Sequence, residues 1–433
     1  MHIRKTEHRT HRHHVKKFEF PFAAGFIIVI AAGAFSFIPV EWNLGEAVKT
    51  LTETPPPAKP SVPHLKTPLA VKAIYMSQCV VGTPSFRNEL VSLVETTDLN
   101  SIIIDIKDFS GTISFPTKDP LLKEATLVSC GARDMEAFLK ELHAKGIYVI
   151  GRITVFQDQF YTKKHPELAV QSVSRPGEPW KDRKGLSFID VSSRPFWDYI
   201  VMISKEAYAI GFDELNYDYI RYPSDGVMAD AKYINPDKPV ALENFFRYLH
   251  DEVAPTGAVM SADLFGYVTV HTDDLGIGQV LERALPYFDY IAPMVYPSHY
   301  NNGFAGLKNV NSDPYTVVHV SLVEAVRRAT ATTTTVAGFA QTPIMKTVVT
   351  PGSGGIATST KEVPTGTYSK KAYPATVIRP WLQSFDYPVP YTPLMVAAQI
   401  KATSDAGLSS YFFWDPANKY LSLKSVLTAE NGQ

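Results

Sequence analysis

Cysteine is almost missing from this chain: 433 residues hold Cys79 and Cys130 and no others. Two thiols without metal-ligand spacing exclude a zinc ribbon and give no disulfide framework. They could pair only outside the cell, and the unpaired state is the favoured expectation. An excess of charge of one sign is missing too. The 42 Lys and Arg nearly balance 43 Asp and Glu, for a formal net charge of -1, so nucleic acid is not expected as a partner. The region expected to fold has no HExxH and no clustered His pair, which argues against a metal-dependent hydrolase, and no metal or other cofactor is expected. No Gly-rich phosphate fingerprint follows the first expected strand, which disfavours a doubly wound nucleotide-binding sheet.

What is present begins with a basic tail at 1–19, "MHIRKTEHRTHRHHVKKFE", followed by "FPFAAGFIIVIAAGAFSFIPV" at 20–40 without a charge. About 20 apolar residues cross the hydrocarbon core of a bilayer. A basic flank ahead of the span keeps the N-terminus cytoplasmic and exports the rest. The expectation is a single-pass signal anchor in the cell membrane, or a secreted protein if cleavage occurs near the small residues "AGA" at 32–34. Residues 41–68 then form a linker, its prolines concentrated in "TETPPPAKPSVPHLKTP", a semi-extended spacer rather than a domain.

From residue 69 to about 425, strand-like runs alternate with helix-like stretches. The strands are expected at 69–76, 101–108, 146–156, 212–220, 257–266, 288–296, 375–385 and 408–415. Such alternation implies a parallel sheet, and eight units imply a closed (β/α)8 TIM barrel. Residues 332–374, rich in Thr, Ser, Gly and Lys, interrupt the pattern. They are expected on the N-terminal face, away from the site, as a mobile insertion or partner contact.

Strand side chains alternate between faces, and the inward faces here are not those of a purely apolar interior. "GFDELNYDYIRYPSDG" at 211–226 turns Leu215 and Tyr217 outward but Glu214, Asn216 and Asp218 inward. "SIIIDIKD" sends Asp105 and Lys107 inward, and "VMSADLF" sends Asp263. Three strands thus aim carboxylates at one axis near their C-terminal ends, the active end of such barrels. Arg152, Tyr296, His299, Arg379, Trp381, Gln383 and Trp414 fall at comparable positions on other strands. Acids, amide and guanidinium donors and aromatic platforms together suit a carbohydrate.

Three ordered segments, "GFDELNYDYIRYPSDG", "APMVYPSHY" at 292–300 and "RPWLQSFDY" at 379–387, carry a family resemblance. The chain resembles, over roughly residues 70–420, a bacterial glycoside-hydrolase-like domain family catalogued as a domain of unknown function. The resemblance implies a glycosidase-type barrel and a polysaccharide or oligosaccharide substrate. Trp414-Asp415, where the family pattern suggests Trp-Asn, and the 332–374 insertion are departures.

Glycoside hydrolysis uses two carboxyl groups flanking the glycosidic bond. Asp218 is the expected nucleophile or base and Asp263 the acid. Glu214, deeper on the same face, orients Asp218 or acts itself. Arg221 is expected to hold Asp218 ionised. Asp105, Lys107, Arg152, Asn216, Tyr296, His299, Arg379, Trp381, Gln383 and Trp414 are the remaining substrate-binding candidates. The alternative is a barrel that binds glycans without cleaving them and organises the envelope.

Overall fold

Eight parallel strands close on one another in a barrel: β1 (Lys72–Met76), β2 (Ser101–Lys107), β3 (Tyr148–Thr154), β4 (Glu214–Asp218), β5 (Val259–Phe265), β6 (Tyr290–Met294), β7 (Trp381–Gln383) and β8 (Tyr411–Trp414). Sequence order is kept around the ring, and β8 pairs with β1 to complete it. This computed structural model describes residues 62–350 and 359–430. The expected basic tail, the apolar span at 20–40 and the linker up to residue 61 lie outside the described residues. Among those described, no helix is long and apolar enough to cross a membrane.

A helix follows each strand: α1 (Pro84–Glu95), α2 (Met135–Ala144), α3 (Arg194–Ile210), α4 (Lys238–Val253), α5 (Leu281–Ala284), α6 (Pro314–Thr330), α7 (Pro393–Asp405) and α8 (Leu421–Glu430). Their starts are written locally. Asp237, Asp313 and Thr392 each accept a backbone N–H from the first turn of α4, α6 and α7, with proline just inside, the arrangement that satisfies orphan helix donors. Gly211 ends α3 in the left-handed region, at φ 119°, and turns the chain into β4.

The two strand faces separate as the alternation predicts. Outward Ile102, Ile104, Leu215, Tyr217 and Met260 join the large core between barrel and helices. Inward Tyr75, Ile103, Tyr148, Ile150, Trp381 and Phe412 fill part of the lumen. The remainder of the lumen is charged.

Glu214 is wholly buried and accepts hydrogen bonds from Arg379 Nη1 at 2.9 Å and Tyr148 Oη at 3.1 Å. It stands four residues, about 13 Å along the strand, before Asp218. This places Glu214 and Arg379 at the base of the barrel, where each answers the other's charge. Replacing Arg379 by Met leaves a buried carboxylate unpaired, with an expected cost of about 3–5 kcal/mol; urea unfolding at pH 7 measures it.

The base is also where the chain enters. Asp213, just ahead of β4, accepts N–H bonds from Leu65 at 2.6 Å and Val149 at 2.8 Å and lies 3.0 Å from His143 Nε2. Thr67 bonds the Tyr148 hydroxyl at 3.1 Å, and His64 stacks on Tyr208 with ring centres 3.9 Å apart.

One expectation changes. Cys79 and Cys130 form a disulfide. The bond joins the turn after β1 to the loop before α2, whose backbone approaches so closely that a Cβ on Gly82 would collide with the Cys130 carbonyl. Within 332–374, Thr342–Thr350 pairs antiparallel with Ser359–Ser369, and Thr333–Thr334 adds to the Ser359–Ser369 strand. The preceding turn docks through Phe339 N–H on Glu243 at 2.8 Å and Gln341 Nε2 on the Glu282 carbonyl at 2.9 Å.

Candidate active site

The C-terminal ends of β2 to β5 meet around one guanidinium. Parallel register sets Asp105 beside Arg152 and Arg152 beside Asn216, so the three inward side chains lie at neighbouring levels. Arg152 Nη1 donates to Asp105 Oδ1 at 2.6 Å, while Nη2 and Nε donate to Asp218 Oδ2 at 2.5 and 3.1 Å. The Tyr75 hydroxyl donates to the other Asp105 oxygen. Burial nonetheless pushes the Asp105 carboxyl up to about 6, against the pull of Arg152.

Asp218 closes β4 and Tyr219 follows at φ 50°, a left-handed conformation that costs energy for a residue with a Cβ. The turn lets the Tyr219 N–H bond Asp218 Oδ1 at 2.5 Å. Strain beside a buried carboxylate is what functional sites accept more readily than scaffolds do.

Asp263, on β5, has a different setting. Its Oδ1 accepts from Asn216 Nδ2 at 2.8 Å and Trp381 Nε1 at 2.7 Å. Its Oδ2 is buried without a hydrogen-bond partner, 3.9 Å from Arg152 Nε. Burial, with the charge of Asp218 adding to it, raises the Asp263 carboxyl well above its ordinary range. Since Oδ1 is occupied by two donors, the proton of the acid form belongs on Oδ2. Arg152 Nε lies 3.1 Å from Asp218 Oδ2 and 3.9 Å from Asp263 Oδ2, so those oxygens are within about 7 Å of each other.

Both carboxylates line one cleft. Tyr296 and Trp414, ring centres 5.4 Å apart, form one wall, and Phe385 packs on Trp414 at 5.0 Å. His299 lies beside Tyr296, its imidazole held below the ordinary value by burial. Gly266 lets the backbone pass the Met294 carbonyl and Tyr300 hydroxyl, where a Cβ would collide. Among the described residues, no group of three or more His, Cys, Asp and Glu side chains is placed to hold a metal.

A family model described as "Putative glycosyl hydrolase domain" matches residues 73–351 and 356–420, most of the chain. The chain belongs to this family. The glycoside hydrolase domain of PgaB (BpsB) from Bordetella bronchiseptica superposes with a TM-score of 0.52 at 14% identity, over 83% of this chain and 99% of that one. At that identity the likeness concerns the barrel fold. A hypothetical protein from Ruminiclostridium thermocellum is 30% identical over 47% of this chain and 98% of its own, with a TM-score of 0.40. No curated protein matches in sequence.

Within this glycosyl hydrolase domain, Arg152, Asp218, Arg221, Asp263, Tyr296, His299, Trp381 and Trp414 line the cleft. Asp105 and Asn216 stand one layer back, holding Arg152 and Asp263. Four expected residues are elsewhere. Glu214 and Arg379 pair at the base. Lys107 follows a register shift after Asp105 that turns it from the lumen. Its ammonium lies 2.8 Å from Asp158 and donates to the Thr154 carbonyl at 2.5 Å. Gln383 braces loops, donating to the Phe385 and Tyr387 carbonyls at 3.1 and 3.0 Å and accepting from Ser298 N–H at 3.2 Å. Arg221 does not pair with Asp218, a role taken by Arg152; its Nη1 donates to the Tyr222 carbonyl at 2.9 Å and Ser224 Oγ at 3.2 Å.

Tyr219, Phe265, Gly266, Met294 and Tyr300 also line the cleft without being among the expected site residues, and neither Tyr75 nor Phe385 is among them. Tyr75 was recoverable, since it shares the inward face of β1 with Ala73.

Proposed function

We infer that this chain is a membrane-anchored, extracytoplasmic glycoside hydrolase that cleaves a cell-wall or surface polysaccharide with Asp263 as acid and Asp218 as nucleophile or base. One observation carries the reading: two carboxyls within about 7 Å in an aromatic cleft hold opposite environments. Asp218 is met by a guanidinium, whereas Asp263 is desolvated and raised. Separating an acid from an ionised partner by environment is how paired carboxylates divide their work. Asp263 would give its Oδ2 proton to the leaving glycosidic oxygen as Asp218 attacks the anomeric carbon or deprotonates a water. The bound of about 7 Å overlaps the ~5–5.5 Å of retaining enzymes and the lower end of the ~6.5–9.5 Å of inverting ones, so Asp218 is kept as nucleophile or base. Tyr296 and Trp414 supply faces for sugar rings.

Export through the apolar span at 20–40 agrees with the Cys79–Cys130 bond, since disulfides persist in oxidising compartments. The second reading is glycan binding without cleavage. It draws on the Arg152 contacts, which occupy Asp218 in a manner also suited to a structural ion pair.

The test is release of reducing ends by the full chain from isolated envelopes and from α- and β-glycan panels, followed across pH. Turnover is expected, with an alkaline limb set by loss of the Asp263 proton and displaced above the ordinary carboxylate range. Asp263→Asn is expected to lose that limb together with most of the rate. Retention on a glycan without release by the wild type would favour the binding reading.

A further inference from the structure

Tyr219 and Arg221 line both the cleft and a second cavity next to it. The acids around this junction are already engaged. Asp218 is held by Arg152. Asp182 Oδ1 accepts the backbone N–H groups of Lys184 and Leu186, each at 2.8 Å. Asp225 lies 3.4 Å from Arg183. Arg221 is the exception in the opposite sense. Its hydrogen bonds run from Nη1 to a carbonyl and a hydroxyl, and among the described residues no carboxylate forms an ion pair with it. The Nε–Nη2 edge, two parallel N–H donors, is left without a protein acceptor.

Aromatic rings hold the guanidinium in place: Tyr219 at 5.0 Å and Phe188 and Phe265 each at 5.7 Å from ring centre to Cζ. They also leave the side chain half-buried, and that burial draws its pKa below the ordinary value against the longer-range pull of Tyr219, Asp218, Asp182 and Asp225. Asp218, Asp182 and Asp225 act on this half-buried cation only from a distance, and none of them meets it in an ion pair. The free edge of a guanidinium matches the two oxygens of a carboxylate.

We propose that the substrate is an acidic glycan and that Arg221 binds a carboxylate on a sugar ring at the junction of the two cavities. This rests on the hydrolase reading for the word substrate, but the recognition itself is a binding property. The carboxylate could belong to a hexuronate ring or to a lactyl ether on a hexosamine, and both offer the same group to Arg221.

The test measures binding of the full chain to oligosaccharides of galacturonate, glucuronate and muramic acid, each paired with its carboxyl-reduced counterpart. At least one acidic member is expected to bind, and reduction of its carboxyl is expected to weaken binding about 10- to 100-fold. Arg221→Gln should weaken the acidic ligand by a similar factor and leave the reduced one nearly unchanged. Arg221→Lys, which keeps the charge but loses the fork, should fall between. Melting curves report whether each variant is folded. Failure of every acidic member to bind overturns the proposal. So does equal binding of native and reduced forms, or a loss in Arg221→Gln that is the same for both. Release of reducing ends is read separately on the same panel. Carboxylate-selective binding without release sinks the hydrolase reading and leaves this one standing; release that ignores carboxyl reduction does the reverse.

Discussion

Asp218→Asn is expected to lower turnover about 10²- to 10⁴-fold while glycan binding survives. The substitution keeps the side chain's size, and its one amide oxygen can accept from the Tyr219 N–H or from Arg152 but not from both. It removes the negative charge that would face the anomeric carbon or a water. It also takes one of two carboxylates from Arg152, which retains Asp105 at 2.6 Å, so the fold should persist. With Asp218 neutral, the repulsion that helps raise the Asp263 carboxyl is gone. Any residual activity should therefore show its alkaline limb at lower pH than the wild type. Parallel measurements of reducing ends and of binding to the same glycan decide the matter. An unchanged rate would remove Asp218 from the chemistry and return its contact with Arg152 to a structural role.

The second large effect concerns stability. Arg152→Met is expected to destabilise the barrel by about 3–5 kcal/mol at pH 8, because Asp105 and Asp218 lose their shared cation and Asp263 loses a nearby one. The sign with pH follows from linkage. Asp105 has a folded value of about 6, above the unfolded value of about 4, so the native state holds its proton more tightly and stability falls as pH rises between those values. Without Arg152 the Asp105 and Asp263 carboxyls shift further upward. The deficit of the variant should therefore shrink as acid neutralises them and grow as pH rises. Urea midpoints for both proteins from pH 4 to pH 8 test this. A deficit independent of pH would mean that Arg152 contributes packing rather than charge.

The barrel was legible because two periods differ so plainly along the chain. Outward Leu215 and Tyr217 against inward Glu214, Asn216 and Asp218 is a two-residue alternation, while α3 ahead of them repeats with the longer period of a helix. The convergence of Asp105, Asp218 and Asp263 on one axis was legible for the same reason. Depth was not. Alternation says which way Glu214 points, but only the closed barrel reveals that Arg379 meets it far below the cleft. Lys107 was misplaced because a register shift after Asp105 leaves no mark in an apolar strand sequence. Proximity along the chain suggested Arg221 for Asp218, three residues away, but adjacency of strands puts Arg152 there instead. The Cys79–Cys130 bond escaped for a related reason: nothing local announces that two loops from different βα units will touch.

The hydrogen bonds that gather residues 64–67 under the barrel also set its mechanical polarity. The described chain arrives at the closed end, pinned by Asp213 and Tyr148, while the aromatic cleft opens at the opposite rim. A pull transmitted through Val62 would reach the base first and would have to break those bonds before it disturbed Arg152 or Asp263. The barrel is a cup gripped at its foot by residues 64–67, with its cleft at the rim.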